Sequence, residues 1–341
     1  MKRKINLLIL LLICTSTISV FAAKIIPLQA LRKPETIAVD DSQIYITEGA
    51  SIYIYSLKDF RLIKTFGQAG EGPKEFKVHA VAGVRIYTQP DSIFVNSIGK
   101  VSYFTLDGKY IKEKKNVNAG KWVQPLGNRF VGHGRTKEGD NVYLTIHFYD
   151  SDLKRGKEIY RVKHWFQGKR IDPILHGRFR LARRGNPIFY VHDNRIFIEG
   201  ENGDVHVFDH NGEKLFYIHH EYEKLKVTDN HKKEVVSFLE FIQSALLRHK
   251  SRFEYPDYFP IMRFFNVADG NVYVIPYKKK DGKSEFHVFN RDGKFVEKVL
   301  VPLAEENIFE FYPYTIHDGK VFQLIDNFET EEWELHVTRM K

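Results

Sequence analysis

The sequence predicts an all-β fold: a six-bladed β-propeller with four-stranded blades, its ring closed by an N-terminal strand that completes the C-terminal blade, with one helical insertion between blades four and five. Three observations carry this expectation. One hairpin wording, a turn pair followed by an alternating apolar strand, occurs six times: DDSQIYI (Asp40 to Ile46), QPDSIFV (Gln89 to Val95), LGNRFVG (Leu126 to Gly132), HDNRIFI (His192 to Ile198), ADGNVYV (Ala268 to Val274) and HDGKVFQ (His317 to Gln323). A second wording follows several copies of the first, an aromatic, an Asp or Asn turn with Gly, then another alternating strand: FTLDGKYI, FDHNGEKLFYI and FNRDGKFVEKV, with a looser YSLKDFRLI in blade one. The copies recur over roughly 40-residue periods, a few stretched by insertions, which is the mark of a repeat architecture. Two hairpins per period give four strands, and glycine or Asp/Asn supplies the positive φ such turns require.

Taken in order, the chain opens with Lys2, Arg3 and Lys4, then the apolar run Ile5 to Ile13, the layout of a secretory signal. Val20 and Ala22 occupy the small-residue places of a cleavage site, so residues 1–22 read as a signal peptide and 23–341 as a single exported domain, periplasmic or extracellular. Cys14 as a lipid-attachment site fits less well, because Ile13 stands where a small residue is needed. Retention as an anchor is opposed by the polar run Thr15, Ser16 and Thr17, and no later segment is apolar enough to span a membrane. Cys14 is the only cysteine, so the exported chain can form no disulfide and no thiolate metal site. Stability must come from packing, for which 27 Phe and 18 Tyr are available. The formal charge of +9 includes the three basic residues of the signal; over so long a chain the remainder is mild, and a solvated surface accounts for it. Export makes nucleic acid an unexpected partner.

The repeats place blade one at Glu35 to Phe66, blade two at Ala80 to Lys115, blade three at Lys121 to Trp165, blade four at Phe179 to Glu221, blade five at Pro260 to Pro302 and blade six from Phe309 onward. Blade six holds only three strands. The apolar segment AKIIPLQALRK, Ala23 to Lys33, has no blade of its own and is expected to supply the missing outer strand, so that the ring closes. Between blades four and five, Thr228 to Lys250 puts Val235, Phe238, Leu239, Ile242 and Leu246 on one face at helical spacing, with Thr228 or Asp229 as the cap. That helix is read as packed on a blade edge or, alternatively, as a lid or docking element.

The blade-one layout followed by FGQAGEGPKEF (Phe66 to Phe76) resembles the secreted bacterial six-bladed propellers related to NHL repeats, where a glycine-rich loop and G-x-G-P-x-E-F join two blades. The insertion TDNHKKEVVSFLEF with the following YPDYFPIMRFFNVADGNVYV is similar to the long blade-four connector of such proteins. The resemblance implies a six-bladed ring and export. It implies no single activity, because propellers host hydrolases, lyases, sensors and binding modules alike.

Fifteen histidines invite a metal reading. His219 and His220 are adjacent on an extended chain and point to opposite faces. Inward histidines hold a metal in a six-bladed lyase of similar architecture, but here His79, His133 and His317 sit at different heights in their repeats, so a shared zinc is not expected. Calcium-dependent lactonases and esterases of this shape use acidic and amide residues at the inner mouth. The corresponding Val81, Gln124, Arg183, Arg263 and Tyr314 offer one amide oxygen, too few for a hard cation. No cofactor is therefore expected. What remains is a basic and aromatic rim, of which His79, Trp122, His133, Arg135, Arg183, Arg263, Tyr312 and Tyr314 are the ligand-binding candidates, joined by Lys74, Arg180 and Tyr258. Arginine forks beside aromatic planes recognise carboxylates, sugars and peptide termini. The expectation is a non-enzymatic propeller that binds a protein, peptide or glycan on its loop-rich face; a lyase or hydrolase with its site at the mouth of the central channel is the alternative.

Overall fold

The computed structural model describes residues 23–78, 83–115, 122–163, 186–200, 202–234, 257–307 and 310–340. Residues 1–22, His79, Val81, Arg180 and Arg183 lie outside them, as does most of the expected helix. The described chain is almost entirely antiparallel sheet. Strand β1 (Lys24–Pro27) comes first. Blade one is β2 (Thr36–Val39), β3 (Gln43–Glu48), β4 (Ser51–Ser56) and β5 (Leu62–Phe66). A short parallel pair, β6 (Gln68–Ala69) and β7 (Glu75–Phe76), braces the glycine-rich connector. Blade two is β8 (Arg85–Gln89), β9 (Ser92–Ser97), β10 (Lys100–Thr105) and β11 (Tyr110–Lys115). Blade three is β12 (Val123–Leu126), β13 (Arg129–Glu138), β14 (Asn141–Tyr149) and β15 (Arg155–Lys163). Blade four is β16 (Phe189–His192), β17 (Arg195–Glu199), β18 (Val205–Phe208) and β19 (Lys214–Ile218). Blade five is β20 (Met262–Ala268), β21 (Asn271–Pro276), the short β22 (Lys279–Lys280), β23 (Lys283–Asn290) and β24 (Phe295–Val301). Blade six is β25 (Tyr314–His317), β26 (Lys320–Asn327) and β27 (Glu332–Arg339).

The fourth strand of blade six is β1, which pairs antiparallel with β27, Lys24 opposite Val337 and Pro27 opposite Glu334. Leu28 and Leu31, both buried, follow it into the seam with blade one, and the Trp333 indole donates to the Arg32 carbonyl at 2.8 Å. The clasp read from the sequence is present. Ala80, where the repeats place the start of blade two, lies outside the described residues; the described inner strand runs from Arg85, the register pairing Arg85 with Asn96 and Gln89 with Ser92. In blade four Phe179 lies outside the described residues, and the described inner strand runs from Phe189. The insertion is helical at 229–234, with the Thr228 carbonyl accepting from the Lys232 amide at 3.0 Å and its hydroxyl facing the His231 amide; Val235 and the rest of the apolar stripe lie outside the described residues.

The six recurring stretches join the inner strand of each blade to the second. In three of them both turn residues have positive φ, Asp193 and Asn194, Asp269 and Gly270, Asp318 and Gly319, the type I′ geometry that matches strand twist. The second strands carry unbroken apolar runs because both their faces are buried: Ile44 and Ile46 pack toward blade six while Tyr45 between them packs toward blade two. Phe94 in the same way faces blade three, and its neighbours Ile93 and Val95 face blade one. The core is thus a set of seams between blades.

The second wording makes the outer hairpins, and it also pins each blade to the one before. Its turn has one residue near φ +60° to +80°, here Phe60, Gly108, Leu153, Gly212 and Gly293. A Cβ on Gly108 would stand 2.9 Å from the Phe66 ring of blade one, and one on Gly293 would stand 2.8 Å from the Phe216 ring of blade four. Basic side chains reach these turns across the seams: Lys64 donates to the Asp107 carbonyl at 2.9 Å, and Lys114 to the Ser151 carbonyl. Buried amides do the same work nearer the axis, Asn96 bonding both the amide and carbonyl of Val123.

Candidate functional site

The hairpins joining second to third strands lie on one face of the ring. The inner strands β8, β12, β16, β20 and β25 start on that face, so their leading residues and those just before them form the mouth of the channel. On blades two and three these are Arg85 and Trp122. The exposed Arg85 guanidinium lies 4.6 Å from the centre of the Trp122 ring, a stacked cation. Arg85 has no carboxylate partner among the described residues. One step deeper, Tyr87 lies within hydrogen-bonding reach of Arg85 and Gln124, and burial pushes its hydroxyl well above the usual range.

His133 stands beside Trp122 in the sheet, because β12 and β13 pair Val123 with Gly132. Its Nε2 is 3.0 Å from the Pro187 carbonyl, so Nε2 carries the proton and donates, and the ring sits edge-on against Phe189 at 4.9 Å. Burial, with the Arg85 charge adding to it, pushes the imidazole down to about 4. His133 is therefore neutral at physiological pH, and its buried Nδ1 is an acceptor with no partner among the described residues. Arg135 lies beyond it on the exposed end of β13, where its carbonyl accepts from Arg155 at 2.9 Å.

Arg263, Tyr312 and Tyr314 belong to the seam of blades five and six. Arg263 is 8% exposed, its guanidinium 3.9 Å above the Phe311 ring, ion-paired with Glu305 and donating to the Asn307 carbonyl at 3.1 Å. Lys279 completes the pair on the other Glu305 oxygen at 2.6 Å. This fork is spent inside the protein. Tyr314 packs on Phe264 and Phe311, and Tyr312 meets Trp333 edge-on at 5.9 Å. Gln124, the single amide among the mouth positions, is also committed: it donates to the Phe189 carbonyl at 2.9 Å and accepts from the Val191 amide at 2.8 Å, stitching blade three to blade four.

The other histidines go to separate partners. His219 meets Asp204 at 2.6 Å while its neighbour His220 stacks on Phe295 at 5.1 Å, as alternation along an extended chain requires. His317 lies at the far end of β25, 3.3 Å from Asp41, and His210 lies in a turn beyond β18. Among the described residues no three His, Cys, Asp or Glu side chains come together as a metal-ligand set. Arg85 was not foreseen from the sequence. Once the hairpin register is known, it falls four residues before the turn, in the same place as Trp122 in blade three, and that equivalence was the available signal.

The fold defines the class: a six-bladed β-propeller. No protein-family model and no curated protein matches the chain. Among solved structures, a member of the duf4221 family from Bacteroides vulgatus ATCC 8482 is similar with a TM-score of 0.51 at 14% identity, covering 94% of this chain and 96% of that one. BBS1N, solved in complex with ARL6DN, is similar at a TM-score of 0.39 and 10% identity, covering 91% of this chain and 79% of that one. At 14% identity the likeness to the duf4221 structure is one of fold.

Proposed function

We propose that this is an exported propeller, its first 22 residues a signal peptide and its kinship with NHL-type propellers, that binds a carboxylate-bearing peptide, glycan or protein segment at the channel mouth of its connector face. The observation that supports it is the exposed Arg85 guanidinium stacked on Trp122 with no carboxylate of the described protein beside it. A planar fork held flat by an aromatic ring is pre-organised for bidentate contact with a carboxylate, and stacking limits the side-chain entropy lost on binding. The neutral His133 beside it adds no competing charge. Loops on a rigid scaffold are where recognition tends to be placed.

The test is calorimetric titration with a short peptide bearing a free carboxyl terminus and with the same peptide amidated. The acid form binds more tightly, and Arg85→Ala weakens it about tenfold or more, the loss expected for a charged hydrogen bond. Arg85→Lys recovers only part, since an ammonium cannot form the fork. Equal affinity for acid and amide, or an Arg85→Ala protein indistinguishable from wild type, overturns the reading.

A further inference from the structure

Away from the channel, on the outer side of the seam between blades one and two, lies a cavity of about 430 Å³ lined by Lys64, Phe66, Gly67, Lys74, Phe104, Gly108, Lys109 and Tyr110. That volume is in the range of small-ligand sites. Its floor is aromatic: Phe66 and Phe104 are 4.8 Å apart, and Tyr110 meets Phe104 edge-on at 5.8 Å. Its rim is cationic. No lining residue is acidic, and the Asp107 carboxylate of the adjoining turn is taken by Lys109 at 2.9 Å. Lys64 is fixed by the carbonyls of Asp107 and Gly108 at 2.9 and 3.2 Å. Lys74 is held 5.9 Å over the Tyr110 ring and has no ion pair among the described residues.

Lys74 is also the one lining residue other than glycine with a left-handed backbone, at φ +67°. That conformation is costly for a residue with a Cβ, and it persists only where its surroundings impose it. The surroundings do so here. The parallel β6–β7 pair closes the loop, Glu75 accepts from Gln68 and from the Gly72 amide at 2.8 Å each, and Lys100 donates to the Gly72 carbonyl at 2.6 Å. A loop braced on every side projects a lysine over a tyrosine ring, where a glycine would sit without strain.

We infer that this cavity is a second binding site, for an acidic sugar unit such as a uronate. The aromatic floor suits the C–H face of a sugar ring, the Lys74 ammonium suits its carboxylate in a rim where Lys64 and Lys109 keep the field positive, and the open outer side leaves the remaining hydroxyls hydrated. The inference does not depend on the channel-mouth reading, because it shares no residue with it.

The full exported chain is titrated with glucuronate, glucose and benzoate. Glucuronate binds saturably, glucose binds at least about tenfold more weakly, and added salt weakens glucuronate, as a charge-dependent contact requires. Lys74→Gly removes the ammonium and relieves the left-handed strain, so it lowers glucuronate affinity about tenfold without lowering the melting temperature. Tyr110→Leu lowers it as well, and Arg85→Ala does not. The inference is overturned if glucuronate fails to saturate, if glucose or benzoate binds equally well, if Lys74→Gly leaves affinity unaltered, or if Arg85→Ala abolishes glucuronate binding, which would put the ligand at the mouth.

Discussion

Leu153 and Phe60 occupy the outer-hairpin position that three other blades give to glycine, both at φ +61°. Leu153 keeps its place by burial: it is 1% exposed among Phe94, Tyr149 and Phe130. Replacing it with glycine relieves about 1–2 kcal/mol of left-handed strain but forfeits about 2–5 kcal/mol of packing. We expect Leu153→Gly to lower stability in urea titration despite its better backbone fit, and Gly108→Ala to lower it too, since the added methyl meets the Phe66 ring. Arg263→Ala should cost about 3 kcal/mol by the same measurement, because it leaves Glu305 under-compensated in a buried seam. At this scale the sequence was half legible. Trp122 and His133 were picked out as a basic and aromatic rim, and they do stand together. Arg85 was passed over because an arginine leading a strand leaves no periodic trace. Arg263 and Gln124 looked available because nothing in a sequence shows that Glu305, or the backbone of the next blade, already holds them.

Among the elements, the hairpins announced themselves, because a type I′ turn tolerates so few residue pairs that Asp-Gly and Asp-Asn act as spelling. Inner strands were harder. The repeats place blade two from Ala80 without marking where its inner strand starts; β8 runs from the exposed Arg85 and takes its register from β9. The β1 clasp was inferred from a missing strand, and the pairing with β27 shows why it holds. Removing residues 23–33 should lower the melting temperature and raise amide exchange throughout β27; loss of Leu28 and Leu31 alone withdraws about 1.5–3 kcal/mol of burial for each. Unchanged exchange in β27 would mean the strand is ornamental.

Across the whole molecule, burial holds His133, His147, His206, His220 and His287 below the ordinary imidazole range. In the unfolded chain they take up protons near pH 6.5, in the folded protein only at lower pH, so the unfolded state binds more protons in between. Stability should be complete above about pH 6.5 and fall as the pH drops toward about 4, where His133 itself titrates. Thermal melts across that window check the sign; a protein that grew more stable on acidification would contradict it. The closure of the ring has a temporal side as well. The Trp333 indole and the Arg32 carbonyl it bonds are 301 positions apart, so β1 leaves the ribosome long before its partner exists. Its apolar residues must wait unpaired while five blades form. Such a ring is finished in a single late event, with its first strand placed last.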